Sequence, residues 1–206
     1  MKISDKEWEV LKTFFLFQKG VSMQEDILIL YNFTKNMGFN HVLELGIGVE
    51  ANATKAFAYA KAQWLPSTSF TSVDFSEENL KISKKILEDF KLDKYVELIH
   101  SDSVEFLQKM PKNYYDCIFI DTSHSFEHTI AEIELSAEKF DPAGYIFLHD
   151  TCQMGVKNAI EYILKKNPLF IHTEFNTPAG LGLLAKKSYE KQLREIWTLN
   201  YNSEQK

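Results

Sequence analysis

The chain has 206 residues, 45% of them hydrophobic and 25% charged, with a formal net charge of -6. That is long enough for one domain with a large core, and the mild acidic excess argues against non-specific binding to nucleic acid or anionic membrane. No apolar run is long enough to span a bilayer, the start lacks the basic-then-apolar order of a signal peptide, and Cys117 and Cys152 show no metal-site spacing, so a reduced, cytoplasmic protein is expected.

Ser4-Asp5-Lys6-Glu7 and Ser22-Met23-Gln24-Glu25 read as capping boxes, which places helix starts near residues 5 and 23. Gly20 and Gly38 suit the C-terminal ends of these two helices. In the first, Trp8, Val10, Leu11, Phe14, Phe15, Leu16 and Phe17 spread over more than one face. Such a helix is covered on more than one side, by the domain, by a second copy in a homodimer, or by both.

From His41 onward strands and helices alternate. Strands are expected at about 41–46, 69–74, 95–100, 116–121, 144–149, 169–175 and 181–186, and helices at about 53–62, 77–90, 103–109, 126–138 and 154–166. Ser76, followed by Glu77 and Glu78, is a suitable N-cap with an acidic first turn. Alternation implies a parallel sheet with helices on both faces. The five residues 176–180 are too few for a crossover, so the last two strands form an antiparallel hairpin. The expected fold is therefore α/β and Rossmann-like: a mostly parallel seven-stranded sheet with an antiparallel last strand and two extra N-terminal helices. One domain spans 1–206, with a helical cap at 1–38, a core at 41–186 and a C-terminal helix and tail at 187–206.

The chain is organised around Val42-Leu43-Glu44-Leu45-Gly46-Ile47-Gly48-Val49-Glu50-Ala51, a strand, a tight turn and a helix start. Glycines there let another molecule approach the backbone, and the helix start offers N–H groups and partial positive charge. Dinucleotides and S-adenosylmethionine both use this arrangement. Glu44 would be costly at the end of a buried strand unless something pairs with it. The ammonium and sulfonium of S-adenosylmethionine would do so, whereas a pyrophosphate would not. Gly46-x-Gly48-x-x-Ala51 with Asp74 downstream also satisfies the dinucleotide fingerprint, which keeps a nicotinamide-dependent oxidoreductase open.

Ligands of open α/β sheets bind beyond the carboxyl ends of the strands, so those ends are where chemistry is expected. The second strand ends at Asp74 and the third in His100-Ser101-Asp102-Ser103, where Asp102 also suits an N-cap. The fourth ends in Asp121-Thr122-Ser123-His124-Ser125-Phe126-Glu127 and the fifth in His149-Asp150-Thr151. Asp121 and Asp150 should stand side by side, and a divalent cation or a bound Lys or Arg would relieve their repulsion. His124 and His149, beside these acids, are the candidate bases, while His128, His172 and Cys152 read as structural. Ser123 and Ser125 show no nucleophile elbow.

Glu44-x-Gly46-x-Gly48 resembles motif I of the class I S-adenosylmethionine-dependent methyltransferases, although Glu50 stands where that family often has a third glycine. The Asp121-x-x-His124-Ser-Phe-Glu segment followed by His149-Asp150 resembles the branch with cephalosporin-hydroxylase-like and macrolide-sugar O-methyltransferases. The resemblance implies cofactor contacts from Glu44, Gly46, Gly48, Asp74 (ribose), Asp102 and Ser103 (adenine) and Asp121. It implies Mg²⁺ or a similar ion on Asp121 and Asp150. The relatives supply a third ligand as Glu before or Asn after the second Asp, where this chain has His149 and Thr151; the third ligand is thus left open, with His149 the leading candidate, and a nitrogen there favours a softer metal. The implied function is metal-assisted O-methylation of a small molecule, with His124 or His149 as base and neither nucleic acid nor membrane as partner. The alternatives are an NAD(P)-dependent oxidoreductase or a non-catalytic cofactor-binding protein of the same fold.

Overall fold

The structure is a computed structural model that describes residues 24–191 and 194. Its first described element is α1 (Gln24–Met37). Then follow β1 (His41–Leu45), α2 (Asn52–Trp64), β2 (Ser69–Asp74), α3 (Glu77–Asp89), β3 (Glu97–His100) and α4 (Ser103–Lys109). The second half holds β4 (Tyr115–Ile120), α5 (Phe126–Lys139), β5 (Phe140–His149), α6 (Met154–Lys166), β6 (Phe170–Phe175) and β7 (Leu181–Lys186). The helix expected near residue 5 and both capping boxes' serines lie outside the described residues, as does most of the helix and tail expected over 187–206.

The sheet order is β3-β2-β1-β4-β5-β7-β6. Every neighbouring pair is parallel except those made by β7, which is antiparallel to both β5 and β6. The hairpin thus inserts its second strand beside β5 and leaves β6 at the edge. The chain winds outward from β1 to β3 and then returns to place β4 on the other side of β1. That reversal opens a crevice at the C-terminal ends of β1 and β4.

Strand alternation divides the core. Val42, Phe119, Tyr145, Phe147 and Phe175 face the helices α1 and α2, meeting Leu30, Phe33 and Phe57. Leu43, Leu45, Ile118, Ile120, Ile146 and Leu148 face the other way, onto Phe106, Ile133 and Ile160 of α4, α5 and α6. Two expected boundaries move. β3 begins at Glu97 because Asp93–Tyr95 closes into a 3₁₀ turn first. β5 begins at Phe140, ahead of the expected 144, and its pairing with β4 shifts register between Tyr115 and Cys117. Pro142 cannot donate to a ladder, so the strand bulges there instead of ending. No described helix is long and apolar enough to cross a membrane.

Phe33 of α1 is 3% exposed and packs edge-on against Phe147 and Phe175, with ring centroids 5.3 and 5.9 Å away. Phe33→Ala removes the wedge between α1 and the sheet and should lower unfolding free energy by about 3–5 kcal/mol, measured by urea denaturation.

Candidate active site

The turn after β1 is held open by contacts that its glycines alone permit. Gly46 has φ +89, its N–H donates to the Val73 carbonyl (2.8 Å), and a Cβ there would lie 1.9 Å from the Asp121 carbonyl oxygen. Gly48 has φ +61 with open space where a Cβ would stand, a cradle above the turn. Ala51, at φ 48, starts α2 from a left-handed conformation without a side-chain cap, so the loop closes without the family's third glycine. Glu50 turns outward, accepting from the Asn52 amide at 3.0 Å.

Two acids lie under this turn with different roles. Glu44 is 1% exposed; its Oε2 accepts from Ser72 Oγ (2.6 Å) and Thr54 Oγ1 (2.7 Å). Burial outweighs these bonds and pushes its carboxyl up to about 8. Asp74 ties the loop: its Oδ2 accepts from the N–H groups of Ile47 (3.0 Å) and Gly48 (3.3 Å), and its Oδ1 from the N–H of Ser76 (2.7 Å). Ser76 caps α3 as expected, accepting from the Asn79 N–H.

Asp102 caps α4 through the Glu105 N–H (3.0 Å). The Ser103 hydroxyl points inward, donating to Glu132 Oε1 at 2.6 Å. Glu132 is fully buried and also accepts from Thr122 Oγ1, while His128 Nε2 lies 3.2 Å from it. This carboxylate joins the loops after β3 and β4 to α5. Sequence reasoning missed it, although an acid at position 132, between Ile130 and Ile133 on the α5 face turned to the core, is the signal that could have shown it.

At the ends of β4 and β5 four ionisable groups converge. The register Ile120↔Leu148 sets Asp121 beside His149 on the α1 side of the sheet. Asp150, at φ 55, turns back toward them instead of continuing the strand. His124 Nε2 is 3.0 Å from Asp150 Oδ2 and 3.4 Å from Asp121 Oδ1. His149 Nδ1 is 3.3 Å from Asp150 Oδ2 and 3.4 Å from Asp121 Oδ1, close enough to feel both charges but not aligned for a hydrogen bond with either. On its other side His149 Nε2 meets Asp26 of α1 at 3.1 Å. The β6–β7 hairpin steadies the following turn, with Thr151 and Cys152 donating their N–H groups to Gly180 and Ala179 carbonyls.

Thus the expectation that Asp121 and Asp150 stand together holds in the structure, and so does the proximity of His124 and His149. Among the described residues no Lys or Arg balances the pair; two imidazoles do. Hydrogen bonds that the His124 ring donates to the Asp121 and Asp150 carboxylates raise His124 to about 9. Burial opposes charge on His149, but the three surrounding carboxylates overcome it and take it to about 12. Burial likewise disfavours the Asp121 anion, yet the two histidines hold it below the usual carboxylate range, and they hold Asp150 below it as well. Asp121, Asp150 and His124 offer ligand atoms within 4.8 Å of one another, and the expected third ligand, His149, brings its Nδ1 to 3.4 and 3.3 Å from the two acids. A set that mixes carboxylates and imidazoles suits a divalent ion, with a first-row transition metal favoured over Mg²⁺. The buried, unpartnered Nδ1 of His149, aimed between the acids, fits that occupant.

Comparisons with known proteins bear on this geometry. The family model described as a methyltransferase domain matches residues 43–151. The chain is 26% identical over 195 residues to the polyamine aminopropyltransferase of Prochlorococcus marinus (strain AS9601), covering 80% of this chain and 67% of that protein. The SAH-bound methyltransferase PaMTH1 of Podospora anserina has a similar fold at TM-score 0.71 and 12% identity, over 90% of this chain and 89% of that one. The O-methyltransferase from Bacillus cereus in complex with SAH matches at TM-score 0.69 and 16% identity, over 91% and 93%.

The charge cluster gives a pH signature in the presence of a chelator. Raised imidazoles stabilise fully below their unfolded value of 6.5, and His124 loses that contribution as pH rises through about 9. Lowered Asp121 and Asp150 stabilise above 3.8 and lose that contribution as pH falls. Glu44 adds to the decline between 4.5 and about 8. Melting temperature in EDTA should therefore peak between about pH 4 and 6.5 and fall toward pH 9. His124→Asn should flatten the upper part of that fall.

Proposed function

The chain belongs to the methyltransferase domain family, and on that footing we propose that it moves a methyl group from S-adenosylmethionine to a hydroxyl of a small molecule, assisted by a divalent metal. One observation carries this reading. The four-group cluster abuts the glycine turn directly, with the Asp121 N–H bonded to the Leu45 carbonyl (2.8 Å) and Gly46 packed on the Asp121 carbonyl. A methyl donor over the turn and an acceptor over the cluster would be neighbours. Holding them in near-attack geometry is worth an effective molarity of ~10⁵ M or more. The structural likeness to an O-methyltransferase supports the choice of oxygen as acceptor atom.

The acids around the turn fit a cationic cofactor. S-adenosylmethionine supplies an electrophilic methyl on a positively charged sulfur. Glu44 would answer the positive end of the cofactor, Gly46 and Gly48 would admit it close to the backbone, and Asp74, Asp102, Ser103 and Asp121 would line the rest. Asp74 reaches the ribose from a position where it already fixes the loop, and Ser103 through its main chain. The same bonds weigh against a dinucleotide, because Asp74 has taken the Ile47 and Gly48 N–H groups a pyrophosphate would use.

Asp121, Asp150 and His149 would hold the metal, which supplies a Lewis acid that lowers the pKa of an acceptor hydroxyl. Of the two histidines, His149 is 4% exposed and tied to Asp26, whereas the His124 side chain is 28% exposed and its Nδ1 lies 3.3 Å from Gln153 Nε2. A proton leaving the site needs a route to water, so His124 is the base, with a contribution of roughly 10²–10⁴-fold. The rest of the reading is one domain over 1–206, a reduced cytoplasmic setting, and a homodimer.

Two experiments test this. Glu44 is protonated below about 8 in the free protein and should ionise beside the cofactor, so binding releases a proton. Affinity for S-adenosylmethionine should rise by up to about tenfold per pH unit from pH 6.5 to 8 and then level off. Calorimetry in two buffers would read the released proton, and Glu44→Gln should flatten the profile. For the metal, Asp150→Asn should abolish metal-dependent turnover while leaving cofactor affinity within about threefold, because the ion serves the acceptor rather than the donor. Turnover that survives exhaustive EDTA treatment counts against the metal.

A further inference from the structure

His149 approaches the acid pair with one ring nitrogen and leaves the other facing into the protein, where a carboxylate waits for it. That carboxylate belongs to Asp26, on α1, 123 residues earlier in the chain. Asp26 is fully buried, its Oδ2 is 3.1 Å from His149 Nε2, and its Oδ1 has no hydrogen-bond partner among the described residues. His149 is 4% exposed, and the edge of its ring packs on Phe119 at 6.2 Å between centroids. A buried carboxylate with a single partner is costly in a core. Once a metal displaces the Nδ1 proton, this contact keeps the remaining hydrogen on Nε2 and leaves the lone pair on Nδ1.

We infer that Asp26 is a positioning residue of the metal site, holding His149 in the orientation and tautomer that present its Nδ1 to an ion shared with Asp121 and Asp150. The inference rests on the metal reading above and adds to it a contribution from outside the matched methyltransferase segment, since Asp26 precedes residue 43. A carboxylate behind a ligating histidine fixes the ring and raises its basicity, and removing such a partner weakens metal binding about 10–100-fold. Glu174 is the next acid toward the sheet edge; it accepts from Thr151 Oγ1 and faces His172, so it is engaged elsewhere. Among the described residues, Asp26 is the one carboxylate that meets His149 Nε2.

The test is a titration of the whole chain with Mn²⁺ by calorimetry. Asp26→Asn should raise the Mn²⁺ Kd by about 10–100-fold and leave S-adenosylmethionine affinity within about twofold. In a His149→Ala background the same substitution should change the Mn²⁺ Kd by less than about twofold, because its effect runs through that ring. An Asp26→Asn chain that binds Mn²⁺ as the parent does overturns the inference while the metal reading stands. A parent that binds no Mn²⁺ removes the metal reading and this inference with it. Because burying an amide there can unsettle the core, a second measurement uses the unaltered chain. With diamagnetic Zn²⁺ bound, the nitrogen NMR signals of His149 should show a protonated Nε2 and a metallated Nδ1. A metallated Nε2, or a ring without metal, overturns the assignment.

Discussion

Two carboxylates at the ends of adjacent parallel strands must be met by positive charge, and the way this chain meets that demand shapes its whole C-terminal edge. Parallel pairing brings Asp121 level with His149, and the left-handed turn at Asp150 swings a second acid onto the same side. Two imidazoles then supply protons that a metal would displace. Because ligands must be deprotonated to bind, such a site couples ion uptake to proton release. The same arrangement divides labour between the histidines, one sealed against Asp26 and one open to water.

Much of this was legible in the sequence. Glycines 46 and 48 after an apolar run, acids at strand ends and a five-residue link before the last strand are local signals, and local signals survive in one dimension. What was hidden is long-range. Asp26 reads as an ordinary acid early in a helix, and nothing near it in the chain points to residue 149. Glu132 reads as one of several glutamates on α5, and only packing shows that it binds Ser103 and Thr122. The charge balance was hidden for a related reason: the charge of His124 and His149 depends on what folding places around them.

The glycine-turn end obeys a different economy of charge. Asp74 spends both oxygens on backbone N–H groups, so it shapes the loop before any ligand arrives. Glu44, with two hydroxyl donors and no described cation in contact, is left short of stabilisation for its anion. The turn is thus preorganised in shape but not in charge, which favours a ligand that brings positive charge with it.

Among the described residues, five other than glycine have positive φ, and three of them, Ala51, His124 and Asp150, lie in or beside the crevice. Each costs roughly 1–3 kcal/mol that the surrounding fold must absorb. A laboratory selection for heat resistance alone would then favour glycine at 124 and 150, where losing the Cβ relaxes the backbone. It would drift toward durable, inert descendants, whereas selection that also demands turnover would keep both side chains. The positions where those two lineages part would trace the functional edge of the sheet without any substrate having been identified.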